Sequence, residues 1–163
     1  MAILYTIHGP FPIEREALHD GKKSLKIFWD ERAADMQWCR GIYVFGVRAG
    51  KGVTPHYVGK ATKSFRQECF QPDKLHKYVS ALSRYGAGTP VIFFVAREGV
   101  GKIKASQVAE MESYLISVGW QKNPAIRNIQ GIGEPDWRIK GVVRGGQGKP
   151  GPAARSFRGM MGL

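Results

Sequence analysis

Acidic residues and cysteine are both scarce in this chain. Among 163 residues, 13 Asp and Glu stand against 25 Lys and Arg, for a formal net charge of +12. The two cysteines, Cys39 and Cys69, are too few for a disulfide framework and too far apart for a zinc knuckle. They agree with a reducing compartment and read as buried small hydrophobes or idle thiols. No apolar run reaches the roughly 18 residues that a membrane span requires. The start, Met1-Ala2-Ile3-Leu4-Tyr5, lacks the basic flank and long apolar stretch of a secretory leader. These absences lead us to expect a soluble, cytoplasmic protein. There is no internal repeat and no low-complexity block longer than a tail.

The charge narrows the class of partner. Such an excess of cations favours polyanions, meaning DNA or RNA. No basic amphipathic helix of the membrane-surface type stands out, so no membrane partner is expected. Solubility alone, or a structural place beside the ribosome, would also account for the charge. The length suits one domain with a real hydrophobic core, and the apolar content of 43% is ordinary for a globular protein.

Along the chain, residues 2–8 read as a short strand, and His8-Gly9-Pro10-Phe11-Pro12 reads as a break. A short helix is expected from Asp30 to Cys39. Gly41–Val47 and His56–Lys60 are rich in β-branched and aromatic residues and predict a strand pair. Arg48 to Pro55 has loop composition, so the pair should be joined by a long basic loop. Residues 64–85 are helical in character with an interruption at Pro72, and Val91–Ala96 predicts a buried third strand. Residues 105–118 form the clearest helix, with Ser106 as a cap and Gly119 as its end. From about Gly131 the chain is rich in Gly and Pro. Between Asp136 and Leu163 it carries six basic residues and one acidic, and it reads as a peripheral arm with a strand at 137–143 and a short helix at 152–160. The expected organisation is an N-terminal extension (1–40) packed on the core, a central domain (41–130) and a basic C-terminal arm (131–163). The expected fold is a small α/β sandwich with a short three-stranded antiparallel or mixed sheet flanked by helices.

The helix at 105–118 holds a chemical oddity. At about 100° per residue, Val108, Met111, Leu115, Ile116 and Val118 fall on one broad arc. Glu110 lies opposite, whereas Glu112 lies inside the arc, between Val108 and Ile116. A carboxylate there is costly unless it is paired or holds a cation. Two readings fit: a boundary glutamate that reaches solvent or pairs with Lys or Arg, or a ligand for a hard divalent cation. On the strand pair, Tyr43 shares a face with Phe45 and Val47, and Tyr57 with Gly59. The two tyrosines can therefore stand near each other, either as packing or as a reactive pair. Lys60 and Arg66 follow closely, as solvated cations or as partners for a phosphate near a helix start.

Gly41-Ile42-Tyr43, with Tyr57-Val58-Gly59-Lys60-Ala61 fourteen residues on, resembles the paired signature of the GIY-YIG nuclease superfamily. The second motif is similar to that of the excision-repair nuclease subunit and of homing endonucleases. The helix bearing Met111-Glu112-Ser113-Tyr114-Leu115-Ile116 resembles the family's glutamate helix. Asn123-Pro124-Ala125-Ile126-Arg127-Asn128 resembles its closing segment. The resemblance spans about residues 41–130 and implies a metal-dependent endonuclease that hydrolyses DNA phosphodiesters. It implies that Tyr43 activates or orients the attacking water and that Tyr57 bonds the water or phosphate. Arg66 would stabilise phosphate charge, and Glu112 would hold one Mg2+ or Mn2+ ion. Lys60, Lys63 and His76 would be substrate-binding, while Gly41, Gly59 and Asn128 would support the site. Arg66 lies one residue nearer its glycine than in the best-known members, and Lys63 is the other cation at that turn. A domain that keeps the fold and binds nucleic acid without cutting it is the alternative.

Overall fold

The computed structural model describes residues 3–98, 101–128 and 148–162. The chain divides into two compact units, Met1–Ile129 and Gln130–Leu163. In the second unit the described part is one amphipathic helix, α6 (Pro152–Met161), which exposes Phe157, Met160 and Met161. It matches the helix expected at 152–160. The strand expected at 137–143 lies outside the described residues.

The first unit is built on a four-stranded antiparallel sheet in the order β1-β4-β2-β3. Its strands are β1 (Tyr5–Pro12), β2 (Gly41–Ala49), β3 (Gly52–Ala61) and β4 (Thr89–Arg97). Four strands replace the expected three, because the strand expected at 2–8 joins the sheet beside β4 from Tyr5 onward, and it runs on through Pro12 instead of stopping at His8. Its pairing with β4 breaks register between His8 and Phe11 and then resumes through Pro12. An edge strand tolerates proline, since the missing N–H can face away from the sheet. Ile13 N–H donates to the Pro90 carbonyl, so by alternation the Pro12 nitrogen faces outward.

The expected long basic loop is also absent. β2 and β3 are joined by the two-residue turn Gly50-Lys51, with Gly50 at φ 67°, a conformation that glycine adopts without a Cβ penalty. Ladder pairing runs from Gly41–Ala61 out to Ala49–Gly52. It shifts by one residue between Phe45 and Gly46, so His56 is an extra residue on β3, a β-bulge.

Helices cover both faces of the sheet. On one face Tyr43, Phe45, Tyr57, Ile92 and Phe94 join a core with Phe28, Trp29, Phe65, Phe70 and Tyr78. This face receives α1 (Arg15–Asp20), α2 (Lys22–Ile27), α3 (Phe65–Glu68) and α4 (Pro72–Leu82). Between α2 and β2 the chain makes a wide turn at Phe28–Arg32 and a 3-10 turn at Ala34–Met36, not the helix expected from Asp30 to Cys39. The other face, with Val58, is covered by α5 (Ala105–Lys122), whose buried residues are Val108, Ile116 and Gly119. Helix α5 runs past Gly119, which sits close against Ile126, and continues to Lys122. Its N-cap is Lys104 without a side-chain bond, so Ser106 is not the cap. Val118, expected on the apolar arc, is exposed. Among the described residues no helix is long and apolar enough to cross a membrane.

Candidate active site

Of the expected site residues, Tyr43, Tyr57, Gly59, Lys60, Glu112 and Asn128 gather around β3. Tyr43 pairs in register with Gly59, and Phe45 with Tyr57. Tyr57 is thus diagonal to Tyr43, with ring centroids 6.1 Å apart. The Tyr43 ring lies directly over Gly59, where any Cβ would overlap its Cζ and hydroxyl oxygen. Gly41 has φ 145°, and a Cβ there would overlap the Val95 carbonyl. Both glycines are therefore demanded by close approach and not by flexibility.

The Tyr43 and Tyr57 hydroxyls are neighbours, and each affects the ionisation of the other. Burial, followed by the neighbouring Tyr57, raises the Tyr43 phenol well above the usual tyrosine range. Burial also raises Tyr57; the Tyr43 hydroxyl opposes the shift, and the carboxylates of Glu112 and Asp73 reinforce it. Both side chains are therefore neutral phenols at physiological pH.

Glu112 faces the sheet from α5, as its helical phase requires, and its side chain is 20% exposed. Its Oε2 lies 3.0 Å from Nζ of Lys60, the half-exposed residue after Gly59. Tyr57 and Gly59 project to the α4 face of β3, while Val58 and Lys60 project to the α5 face. The tyrosine pair and the ion pair thus straddle one strand, with Glu112 close enough to act on Tyr57. The carboxylate is neither solvated nor unpaired, so the lysine partner anticipated for it is present.

Asn128 clasps the outer edge of β3. Its Oδ1 accepts from Val58 N–H at 2.8 Å and its Nδ2 donates to the Val58 carbonyl. Arg127 N–H donates to the His56 carbonyl beside it. One side-chain amide therefore imitates the pairing of a further strand.

Arg66 takes a different direction. Ser64 caps α3 by accepting from Gln67 N–H, and Arg66 turns toward the segment before β2. Its Nη1 donates to Gln37 Oε1 at 2.6 Å and lies 3.8 Å from Asp30. Its guanidinium stands 5.6 Å from the centre of the Trp38 ring. Lys63 and His76 are exposed, and none of Arg66, Lys63 and His76 bonds the tyrosines or Glu112 among the described residues.

Two groups near β3 escaped the sequence reading. Lys77 places Nζ 4.8 Å above the Tyr57 ring. The i,i+4 spacing of Asp73 and Lys77 could have marked them as one helix face beside a partner. His56, buried in the bulge, bonds the Tyr85 hydroxyl at 2.7 Å, while its Nδ1 accepts from Asn123 at 3.2 Å. Asn123 also donates to the Pro55 carbonyl. No local period announces that triad.

Among the described residues no three His, Cys, Asp or Glu side chains cluster to enclose a metal. A single half-shielded carboxylate is nevertheless the kind of protein ligand that Mg2+ uses when water and substrate phosphate supply the remaining oxygens, so Glu112 fits such an ion. Neither a protein-family model, nor a curated protein, nor a solved structure matches this chain.

Proposed function

We propose that the chain is a GIY-YIG-type, divalent-metal-dependent endonuclease acting on DNA. The observation that carries this reading is the adjacent pair Tyr43–Tyr57, with Tyr43 seated on Gly59, and the Lys60–Glu112 pair on the next residue of the same strand. The motif order along the chain and the charge of +12 support it. Tyr57 offers its hydroxyl proton to a phosphate oxygen or to the attacking water. Tyr43, held neutral by burial, orients Tyr57 and does not abstract a proton. Lys60 stands ready to balance phosphate charge. Glu112 would hold Mg2+ or Mn2+, which supplies positive charge to the non-bridging oxygens when bound.

The test is incubation of plasmid, single-stranded and branched DNA with the protein and Mg2+ or Mn2+. Cleavage is expected, with Glu112→Ala reducing its rate by about a hundredfold or more and Tyr57→Phe lowering it as well. If every substrate stays intact with either metal, the nuclease reading fails. One observation favours a second reading, a non-cutting module that binds nucleic acid: Arg66 is engaged by Gln37, Asp30 and Trp38. That reading expects salt-sensitive binding without turnover.

A further inference from the structure

We infer that Trp38 and the cations around it form a binding site for an unstacked nucleotide, with the base on the indole and the flanking phosphates on Arg40, Lys63 and Arg66. Trp38 is 64% exposed, and its ring, apolar on its face and polar at its N–H, suits a binding surface. The segment that carries it is built in place. Phe65 N–H donates to the Cys39 carbonyl at 2.9 Å and Arg66 N–H to the Gln37 carbonyl at 3.0 Å. Arg40 Nε donates to the Lys63 carbonyl at 2.9 Å.

These bonds tie residues 37–40 to residues 63–66, so one indole and three cations share a patch. Arg40 and Lys63 are exposed, and Arg40 has no acidic partner among the described residues. Asp30 is the carboxylate paired with Arg66, at 3.8 Å. Glu68 accepts from the backbone N–H of Lys63. Asp35, whose charge reaches Cys39, is a third carboxylate near the patch, so Arg40 is the cation left open beside a flat aromatic face.

Aromatic platforms set among cations suit single-stranded nucleic acid, because every base offers a π-face and the backbone follows the charge. In a duplex the bases are already stacked on each other, and only the cations would be used. The Arg66 guanidinium beside the ring leaves the indole as a platform already held on one side. The occupant is a nucleic-acid strand with accessible bases, deoxyribo or ribo. The inference adds Trp38 and Arg40 to the proposed nucleic-acid role, but it needs no cleavage and no metal.

The experiment measures binding by fluorescence anisotropy in the presence of EDTA, so a failure of the nuclease reading leaves the outcome unaffected. The probes are labelled oligothymidylate, oligouridylate, an abasic strand of equal length and a duplex. For Trp38→Ala, affinity for oligothymidylate or oligouridylate should fall about tenfold, while affinity for the abasic strand and the duplex should change less than about twofold. Trp38→Phe should restore most of the loss. Arg40→Ala should weaken all four probes and reduce the salt slope. Since Trp38 is exposed, its replacement should leave the melting temperature near that of the parent. Unchanged single-strand affinity in Trp38→Ala would overturn the inference, as would an equal loss on the abasic strand. Either result would leave the indole to a protein partner.

Discussion

Gly59 is the residue on which the tyrosine pair depends. With the Tyr43 ring lying on its Cα, Gly59→Ala must displace ring or strand. We expect a stability loss of about 1–3 kcal/mol, read by chemical denaturation, and a disturbed packing of Tyr43 on Tyr57. His56 makes a different prediction. Burial, with the positive charges of Arg84 and Arg127, lowers it from 6.5 to about 4. Between these values the unfolded chain binds a proton that the folded chain refuses, so stability rises with pH. The contribution is complete above about pH 6.5 and is lost as pH falls toward about 4; its size is on the order of 3 kcal/mol. In the neutral ring Nδ1 accepts from Asn123, so Nε2 carries the proton toward Tyr85, and a second proton on Nδ1 would face an N–H donor. Denaturation from pH 7 to pH 4 should show a shallower decline in His56→Gln than in the parent. An identical slope would mean that His56 is not the group responsible.

Among the elements, β3 decides whether the site exists, and Asn128 holds its open side. Asn128→Ala would leave the Val58 N–H and carbonyl unpaired, at a cost of about 1–3 kcal/mol. Asn128→Asp would keep the acceptor and lose the donor, and should fall between. Hydrogen exchange at Val58 would separate a local loosening of β3 from a global effect. Strands β2, β3 and β4 were legible because runs such as Ile42–Phe45 and Val91–Val95 combine β-branched and aromatic residues without a breaker. Helix α5 was legible from its period, and with it the inward aim of Glu112. Strand β1 was legible only in its first half, since Gly9, Pro10 and Pro12 are breakers in isolation and acceptable only on a sheet edge. The hairpin was misread for a similar reason: Gly, Lys and Thr over 50–54 have loop composition, yet long-range pairing extends both strands to within two residues of each other. Tyr43, Tyr57 and Glu112 could be nominated from motif and phase. The turning of Arg66 toward Gln37 could not, because residues 37 and 66 meet only after the sheet has formed.

At the scale of the whole molecule, charge and the division into two units set the expectations. The first unit has its own sheet and core, whereas residues 136–163 contribute six basic residues and one acidic. A chain ending at Ile129 should keep a cooperative unfolding transition. It should bind nucleic acid more weakly and with a smaller dependence on salt, since fewer phosphates are neutralised. A salt slope equal to that of the full chain would show that the C-terminal arm makes no phosphate contacts. The bonds of Asn128 to Val58 and the outward nitrogen of Pro12 have a shared consequence at this scale. They stand at opposite borders of the sheet, and each denies a neighbouring chain part of the hydrogen-bond template on which sheets grow. Strand addition between copies is therefore obstructed from both sides. The obstruction at Pro12 lies on the strand that leaves Ile7 exposed, close to the exposed Leu4, where an apolar edge would otherwise invite pairing.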